Sequence, residues 1–240
     1  MTARLRQVRA RLREAESAAG RDAGSVRLLL ATKTVPAELV RAAVEADSAD
    51  VRAGGPGEPV LLGENRVQEL VAKAPVLVDL GSELHLIGPL QSNKVNHALR
   101  WATCVESVDS LELARRLSER CVGTDRELDV LVQVNVSGEP TKRGAVPEEA
   151  FELATAVAAL PALRLRGLMT IGANSTDPDV VRAGYALLRS LRDDLVGSGV
   201  PGTAGATGLS MGMSGDLELA VAEGATVVRI GTAVFGSRTL

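Results

Sequence analysis

Aromatic side chains are scarce in this 240-residue chain, which has one Trp, one Tyr and two Phe. Four rings are too few for a base-stacking surface. The 27 basic and 30 acidic residues nearly balance, so there is no electrostatic footprint for nucleic acid. Two cysteines, Cys104 and Cys121, allow at most one disulfide and no thiolate metal cluster. The two histidines, His85 and His97, fall on unrelated segments, and no His/Cys grouping has ligand spacing, so no metal site is expected. The longest uncharged run, 195–215, contains seven glycines and Pro201 and little apolar bulk, which argues against a membrane span. Arg4, Arg6, Arg9, Arg11 and Arg13 occupy the N-terminal segment without the apolar block of a secretory signal. An Arg-rich transit peptide would share that composition. The helical recurrence of Leu5, Val8, Leu12 and Ala15 instead predicts a helix over about 3–19 and a cytoplasmic protein.

What remains is an ordinary globular composition, 45% hydrophobic and 24% charged, in a chain long enough for one sizeable core. Strand-like and helical patterns alternate along it. Strand-like runs are read at 25–32, 60–63, 84–88, 103–106, 128–136, 163–171, 206–210 and 226–231, the second and seventh being the weakest. Helical patterns follow each, with Pro36 opening one and Asp109 a candidate N-cap of another. Eight such alternations predict one (β/α)8 barrel over 1–240, with an extra N-terminal helix over 1–20 packed on it. An open doubly wound sheet is the alternative. The Gly/Pro-rich segment 53–59 reads as a surface loop.

In such a barrel the site lies at the carboxyl ends of the strands. The chain has four lysines, and only Lys33, in LLLATKTVP, ends a strongly apolar strand. Lys73 lies on an amphipathic helical pattern and is expected to be solvated. Lys33 has two readings: a partly desolvated amine, nucleophilic toward carbonyls, or a lysine snorkelling at the rim. Two glycine-rich turns, LSMGMSGD and RIGTAVFG, occupy the last two units. Small residues at helix starts let backbone N–H groups approach an anion, and the loops after strands seven and eight of such barrels often hold phosphate. Ser210, Gly231 and Thr232 are the candidate donors; the alternative is a pair of tight connections. Arg229 alternates with Val228 and Ile230, and near the end of a buried strand it needs a partner, either a ligand acceptor or a carboxylate. By the same alternation Gln133 and Asn135 share a face, which puts Asn135 at the mouth. Gly208–Gly212 matches G-x-S-x-G, but no histidine follows Ser210, which excludes the chain order of an α/β-hydrolase. His85 reads as a hydrogen-bonded strand residue and His97 as a surface one.

Taken together, the blocks LLLATKTVP, LLGENRVQEL, LHLIGPLQSNKVN, VQVNVSGEPTKRGA, LRGLMTIGA and LSMGMSGDLELAVAEGATVVRIGTAVFG resemble the pyridoxal phosphate homeostasis family, in order, from about Val26 to Gly236. The resemblance implies a fold-type III barrel like the cofactor domain of alanine racemase, with pyridoxal 5'-phosphate as cofactor. It implies Lys33 as the Schiff-base lysine, phosphate held by Ser210, Gly231 and Thr232, Arg229 facing the pyridine nitrogen, and Asn65 and Met211 nearby. It also implies a monomer that buffers the cofactor or delivers it to apo-enzymes. Two features depart from the pattern: the extra AGGPGEP segment, and Arg66 where many members carry Tyr. An amino-acid racemase is the alternative activity. It needs bases on both faces of the ring, and after a barrel of this size few residues remain for a second domain.

Overall fold

The computed structural model describes residues 1–55 and 57–236; the expected loop at 53–59 therefore includes Pro56, which lies outside the described residues. Eight strands form a closed parallel barrel in sequence order. They are β1 (Arg27–Ala31), β2 (Leu61–Glu64), β3 (Leu84–Leu86), β4 (Cys104–Val108), β5 (Leu128–Gln133), β6 (Leu163–Met169), β7 (Gly208–Ser210) and β8 (Val227–Ile230). β8 closes on β1 with Leu29 beside Arg229, so the open-sheet alternative is excluded. The helices are α1 (Thr2–Ala18), α2 (Ala37–Arg52), α3 (Val67–Leu77), α4 (Val95–Ala98), α5 (Leu111–Val122), α6 (Pro147–Ala158), α7 (Pro178–Gly197), α8 (Leu217–Ala222) and α9 (Thr232–Phe235). Among the described residues no helix is long and apolar enough to cross a membrane.

Local chemistry sets the helix starts. Pro147 and Pro178 stand in the first turns of α6 and α7, where a missing N–H costs nothing. Asp177 caps α7 by accepting from the Asp179 amide. The cap of α5 is Ser110, not Asp109: the Ser110 hydroxyl accepts from the Leu113 amide, while Asp109 faces Arg143 at 3.9 Å. α1 buries Leu5, Val8, Leu12 and Ala15, the stripe its periodicity predicts. Each large apolar side chain so buried contributes roughly 1.5–3 kcal/mol. Ion pairs tie this helix to its neighbours, Arg9 to Asp47 of α2 and Arg11 to Glu218 of α8. Glu16, buried in its last turn, accepts from the amides of Gly24 and Val26 and so fixes the entry into β1.

Strand alternation divides the core into two layers. Leu28, Leu30, Leu62, Leu86, Val105, Val130, Val132, Leu209, Val228 and Ile230 belong to the large cluster shared with the helices. Cys104, Leu131 and Met169 form a small separate cluster. The intervening positions include His85, Glu106, Ser210 and Arg229, and these put polar groups into the barrel interior. Glycine is obligatory at 167: φ is +149°, and a Cβ there would lie 1.9 Å from the Gly208 carbonyl oxygen of the adjacent strand.

Candidate functional site

A cavity of about 460 Å3 opens at the carboxyl ends of the strands. Lys33 and Thr34 follow β1, Asn65 follows β2, Arg229 comes from β8, and Gly231 and Thr232 begin α9. Ser214 and Gly215, after β7, complete the polar lining; Ile87, Ile171, Met213 and Phe235 supply apolar walls. Another cleft, about 430 Å3, is lined only by helix and loop residues such as Asn96, Arg120 and Arg126, and no strand end reaches it.

Lys33 is exposed rather than partly desolvated. β1 ends at Ala31, and Thr34 adopts φ +64°, so the chain turns at the rim and lifts the lysine out of the barrel. Among the described residues its amine has no hydrogen-bond or ion-pair partner. Its flanking residues, by contrast, are held. The Thr32 hydroxyl donates to Glu64 Oε1 at 2.5 Å, and the Thr34 amide donates to Glu69 Oε2 at 2.6 Å. Lys73 joins them: its ammonium donates to the Thr32 carbonyl at 2.7 Å, to Glu64 at 2.8 Å and to Glu69 at 3.1 Å. Lys73 is thus buried, contrary to the solvated position expected from helical amphipathicity. The face of α3 toward the barrel is apolar at Leu70, Ala74 and Leu77, and Lys73 reaches past it to the buried Glu64. Burial raises the Glu64 carboxyl above its ordinary value, opposed by the Lys73 and Thr32 hydrogen bonds.

Arg229 forms part of the cavity lining and is 5% exposed. It donates to the Ser210 hydroxyl at 2.8 Å and to the Thr170 carbonyl at 2.5 Å. Ser210 donates in turn to Glu106 Oε2 at 2.6 Å, and Glu106 Oε1 lies 2.6 Å from His85 Nδ1. Burial alone would raise the Glu106 carboxyl; His85, the Arg229 charge and the Ser210 hydroxyl outweigh it and hold it below the carboxylate range. For His85, burial opposes the charge, and Cys104, Glu106 and Glu83 together push its titration well above the ordinary imidazole value. Barrel closure therefore gathers groups that look unrelated in sequence. Ligand-type atoms of His85, Cys104 and Glu106 lie within 4.8 Å of one another.

Next to the end of β1 the cavity is lined by a small-residue turn that follows β8. At Gly231 a Cβ would lie 3.0 Å from the Ala31 carbonyl oxygen, so a side chain there would crowd this rim. The Thr232 and Ser214 hydroxyls stand 3.4 Å apart. Asp216 pins the turn before α8, accepting from the Met213 amide at 2.6 Å and from the Tyr185 hydroxyl at 2.9 Å. Burial and Asp216 push the Tyr185 phenol above its ordinary value, so it stays a donor.

Of the residues expected from sequence, Lys33, Asn65, Arg229, Gly231 and Thr232 meet at this cavity. Ser210 lies beneath it, fully buried between Arg229 and Glu106. Met211 points the other way, into the helix-facing core, as alternation from Ser210 requires. Ser214 and Gly215, in the second half of the same glycine-rich segment, occupy the lining instead. Asn135 is spent within its own loop, donating to the Glu139 and Lys142 carbonyls, because β5 ends at Gln133. His97 is exposed on α4, as expected.

Comparisons with known proteins agree with this architecture. A family profile described as alanine racemase, N-terminal domain, matches residues 4–239. The chain is 47% identical over 234 residues to a pyridoxal phosphate homeostasis protein of Pseudomonas aeruginosa, covering 98% of this chain and 94% of that one. It is 40% identical to the protein of the same name from Aquifex aeolicus, covering 98% and 97%. The solved structure of PipY from Synechococcus elongatus with PLP bound superposes with a TM-score of 0.77 at 34% identity, over 94% of this chain and all of that one. An alanine racemase from Clostridium difficile shares the fold at 16% identity, with a TM-score of 0.68 over 95% of this chain and 58% of that one. The chain belongs to the pyridoxal phosphate homeostasis protein family, built on the barrel of the alanine racemase N-terminal domain.

Proposed function

We propose that this chain binds pyridoxal 5'-phosphate as a Schiff base on Lys33 and serves intracellular homeostasis of that cofactor, buffering it or delivering it to apo-enzymes. The observation that carries the reading is an exposed amine and a small-residue anion cup that line one cavity of about 460 Å3, at the ends of the adjacent strands β1 and β8. When bound, the cofactor supplies an aldehyde that condenses with a primary amine, releasing water, and a phosphate dianion that needs N–H and O–H donors. The residues fit both demands. Lys33 offers an amine without a partner among the described residues. The backbone at Gly231 and the hydroxyls of Thr232 and Ser214 offer anion donors at the start of α9. Arg229 has five N–H groups and two hydrogen bonds to the protein, so donors remain for a ring acceptor. An arginine cannot surrender its proton, so a ring nitrogen accepting from it stays unprotonated, which weakens the ring as an electron sink.

Carrier rather than racemase is the reading favoured by the lining. Racemisation needs a base on each face of the reacting carbon, and Lys33 is the one amine among the described lining residues, which include no carboxylate, imidazole or phenol. The tyrosine is engaged with Asp216 and does not line the cavity. Cytoplasmic action as a monomer belongs to the same proposal.

The test is direct. Purified protein given pyridoxal phosphate should turn yellow, and borohydride should attach a pyridoxyl group to the peptide containing Lys33, read by mass spectrometry. Colourless protein, or label found only on other lysines, overturns the assignment. Robust formation of D-isomers from L-amino acids would replace the carrier reading with an enzymatic one.

A further inference from the structure

The hydrogen-bond chain beneath the cavity has one allowed polarity. Arg229 can only donate, so Ser210 must accept from it. The single Ser210 proton must then go elsewhere, and its partner at 2.6 Å is Glu106 Oε2. A protonated carboxyl at that oxygen would put two donors on Ser210 and leave the serine proton without an acceptor. The other Glu106 oxygen is held by His85 Nδ1. These four residues come from β3, β4, β7 and β8, all are buried, and the last one reaches the cavity.

We propose that Glu106 is a positioning residue: acting through Ser210, it fixes the place and donor direction of Arg229, so that the guanidinium presents a rigid N–H donor to the ring acceptor of the cofactor held at Lys33. The inference rests on the reading that this cofactor is pyridoxal phosphate. It assigns His85 the supporting part, holding Glu106 in one rotamer from below. Ser210 becomes an adaptor between two buried charges rather than a contact of the phosphate.

Full-length Ser210→Ala and Glu106→Met variants test it, with Arg229→Gln as reference, each loaded with pyridoxal phosphate. Both should move the absorption maximum of the bound chromophore in the direction that Arg229→Gln moves it, while borohydride still labels Lys33. Dissociation of the cofactor should rise about tenfold, the worth of one hydrogen bond to a charged group. In an Arg229→Gln background neither substitution should add a further shift, because the route to the ring is then already cut. An unaltered maximum in Ser210→Ala, or a full shift in the Arg229→Gln background, overturns the proposal. Glu106→Met strands two buried cations, and Ser210→Ala is the gentler variant should it fail to fold. A second readout needs no cofactor. In ligand-free protein the Arg229 side-chain 15N–1H signal, assigned by its loss in Arg229→Gln, should move or broaden in Ser210→Ala. A signal that stays put refutes positioning of Arg229 whatever the ligand. Parent protein that binds no pyridoxal phosphate, yet shows the signal change, refutes the ligand and leaves the positioning of Arg229 standing.

Discussion

Replacing Lys73 by Met should produce a loss of stability that grows with pH. The substitution keeps the length of the side chain and removes three donated hydrogen bonds, to Thr32, Glu64 and Glu69. The Thr32 carbonyl retains the Val35 amide, and Glu69 is partly solvated, so the damage falls on Glu64, which is 2% exposed. One of its oxygens, Oε2, already lacks a partner among the described residues. Without the ammonium, the buried carboxyl folds as the neutral acid. The unfolded chain ionises it near pH 4.3. Below that value the neutral form costs nothing; above it, each pH unit costs a further 1.36 kcal/mol or so until the raised folded value is reached. The ceiling is therefore about 1 kcal/mol at pH 5 and about 3.7 kcal/mol at pH 7. Burial already raises this group in the parent, so the observed difference falls somewhat below the ceiling. Urea unfolding followed by far-ultraviolet circular dichroism at both pH values measures it. Adding Glu64→Gln should remove most of the pH dependence. Equal losses at pH 5 and pH 7, or a loss under about 1 kcal/mol at pH 7, would show that Lys73 does not neutralise a buried carboxylate, and the scaffold described around Lys33 would fall with it.

Other substitutions probe different joints. Gly167→Ala puts a methyl against the Gly208 carbonyl at a positive φ, and should cost about 3 kcal/mol in urea unfolding; a near-neutral result would deny the close β6–β7 approach. Tyr185→Phe removes a hydrogen bond to Asp216 and should cost about 1.5 kcal/mol while weakening competition by inorganic phosphate for the cofactor site, because Asp216 anchors the 213–216 turn. Ser110→Ala should cost about 1 kcal/mol and Asp109→Ala less, which separates the two possible caps of α5. In acid, Glu83 is drawn down to about 2, first by the His85 imidazole 3.7 Å away and then by Arg27, against the pull of burial. Its stabilisation is present above the ordinary carboxylate value and fades as pH falls toward 2, so Glu83→Gln should flatten that limb of the acid-unfolding curve.

How much of this was legible beforehand follows from the range of each signal. Alternation within β8 separates Arg229 from Val228 and Ile230, and periodicity in α1 marks Leu5, Val8 and Leu12; both reflect neighbours on one element. The eight-unit pattern extends to β2 and β7, the two weakest strand-like runs, since a barrel leaves no edge to end on. The sequence pattern places Lys73 in solvent because helical amphipathicity reports the face of α3 and not the acid on β2 that the ammonium meets. Of the two readings of Lys33, the desolvated amine fails because β1 stops at Ala31, short of the strand end at Thr32 that the apolar run suggests. In the LSMGMSGD segment composition found the right turn but not which serine lines it. Strand β7 carries Ser210 inward and buried, and only past its end does Ser214 reach the cavity.

The interior polar chain is the feature that sequence patterns were least able to show, and the one that most needs a reason. A barrel of this type can be filled by layers of branched apolar side chains. Replacing a buried ion pair by well-packed apolar residues is often neutral or stabilising, so His85, Glu106, Ser210 and Arg229 are not explained by stability alone. Cys104, Leu131 and Met169 show that the same interior accepts apolar packing a few ångströms away. The polar chain instead runs from strand to strand and terminates on the cavity, at a guanidinium with donors to spare. Lys73, Glu64 and Glu69 do the equivalent at the end of β1, binding the residues before and after Lys33 while its amine has no partner among the described residues. Two buried charge networks thus converge on one opening from β1 and from β8, strands that are hydrogen-bonded neighbours at the closure of the barrel. Both hold rigid the backbone or donor that a ligand must meet.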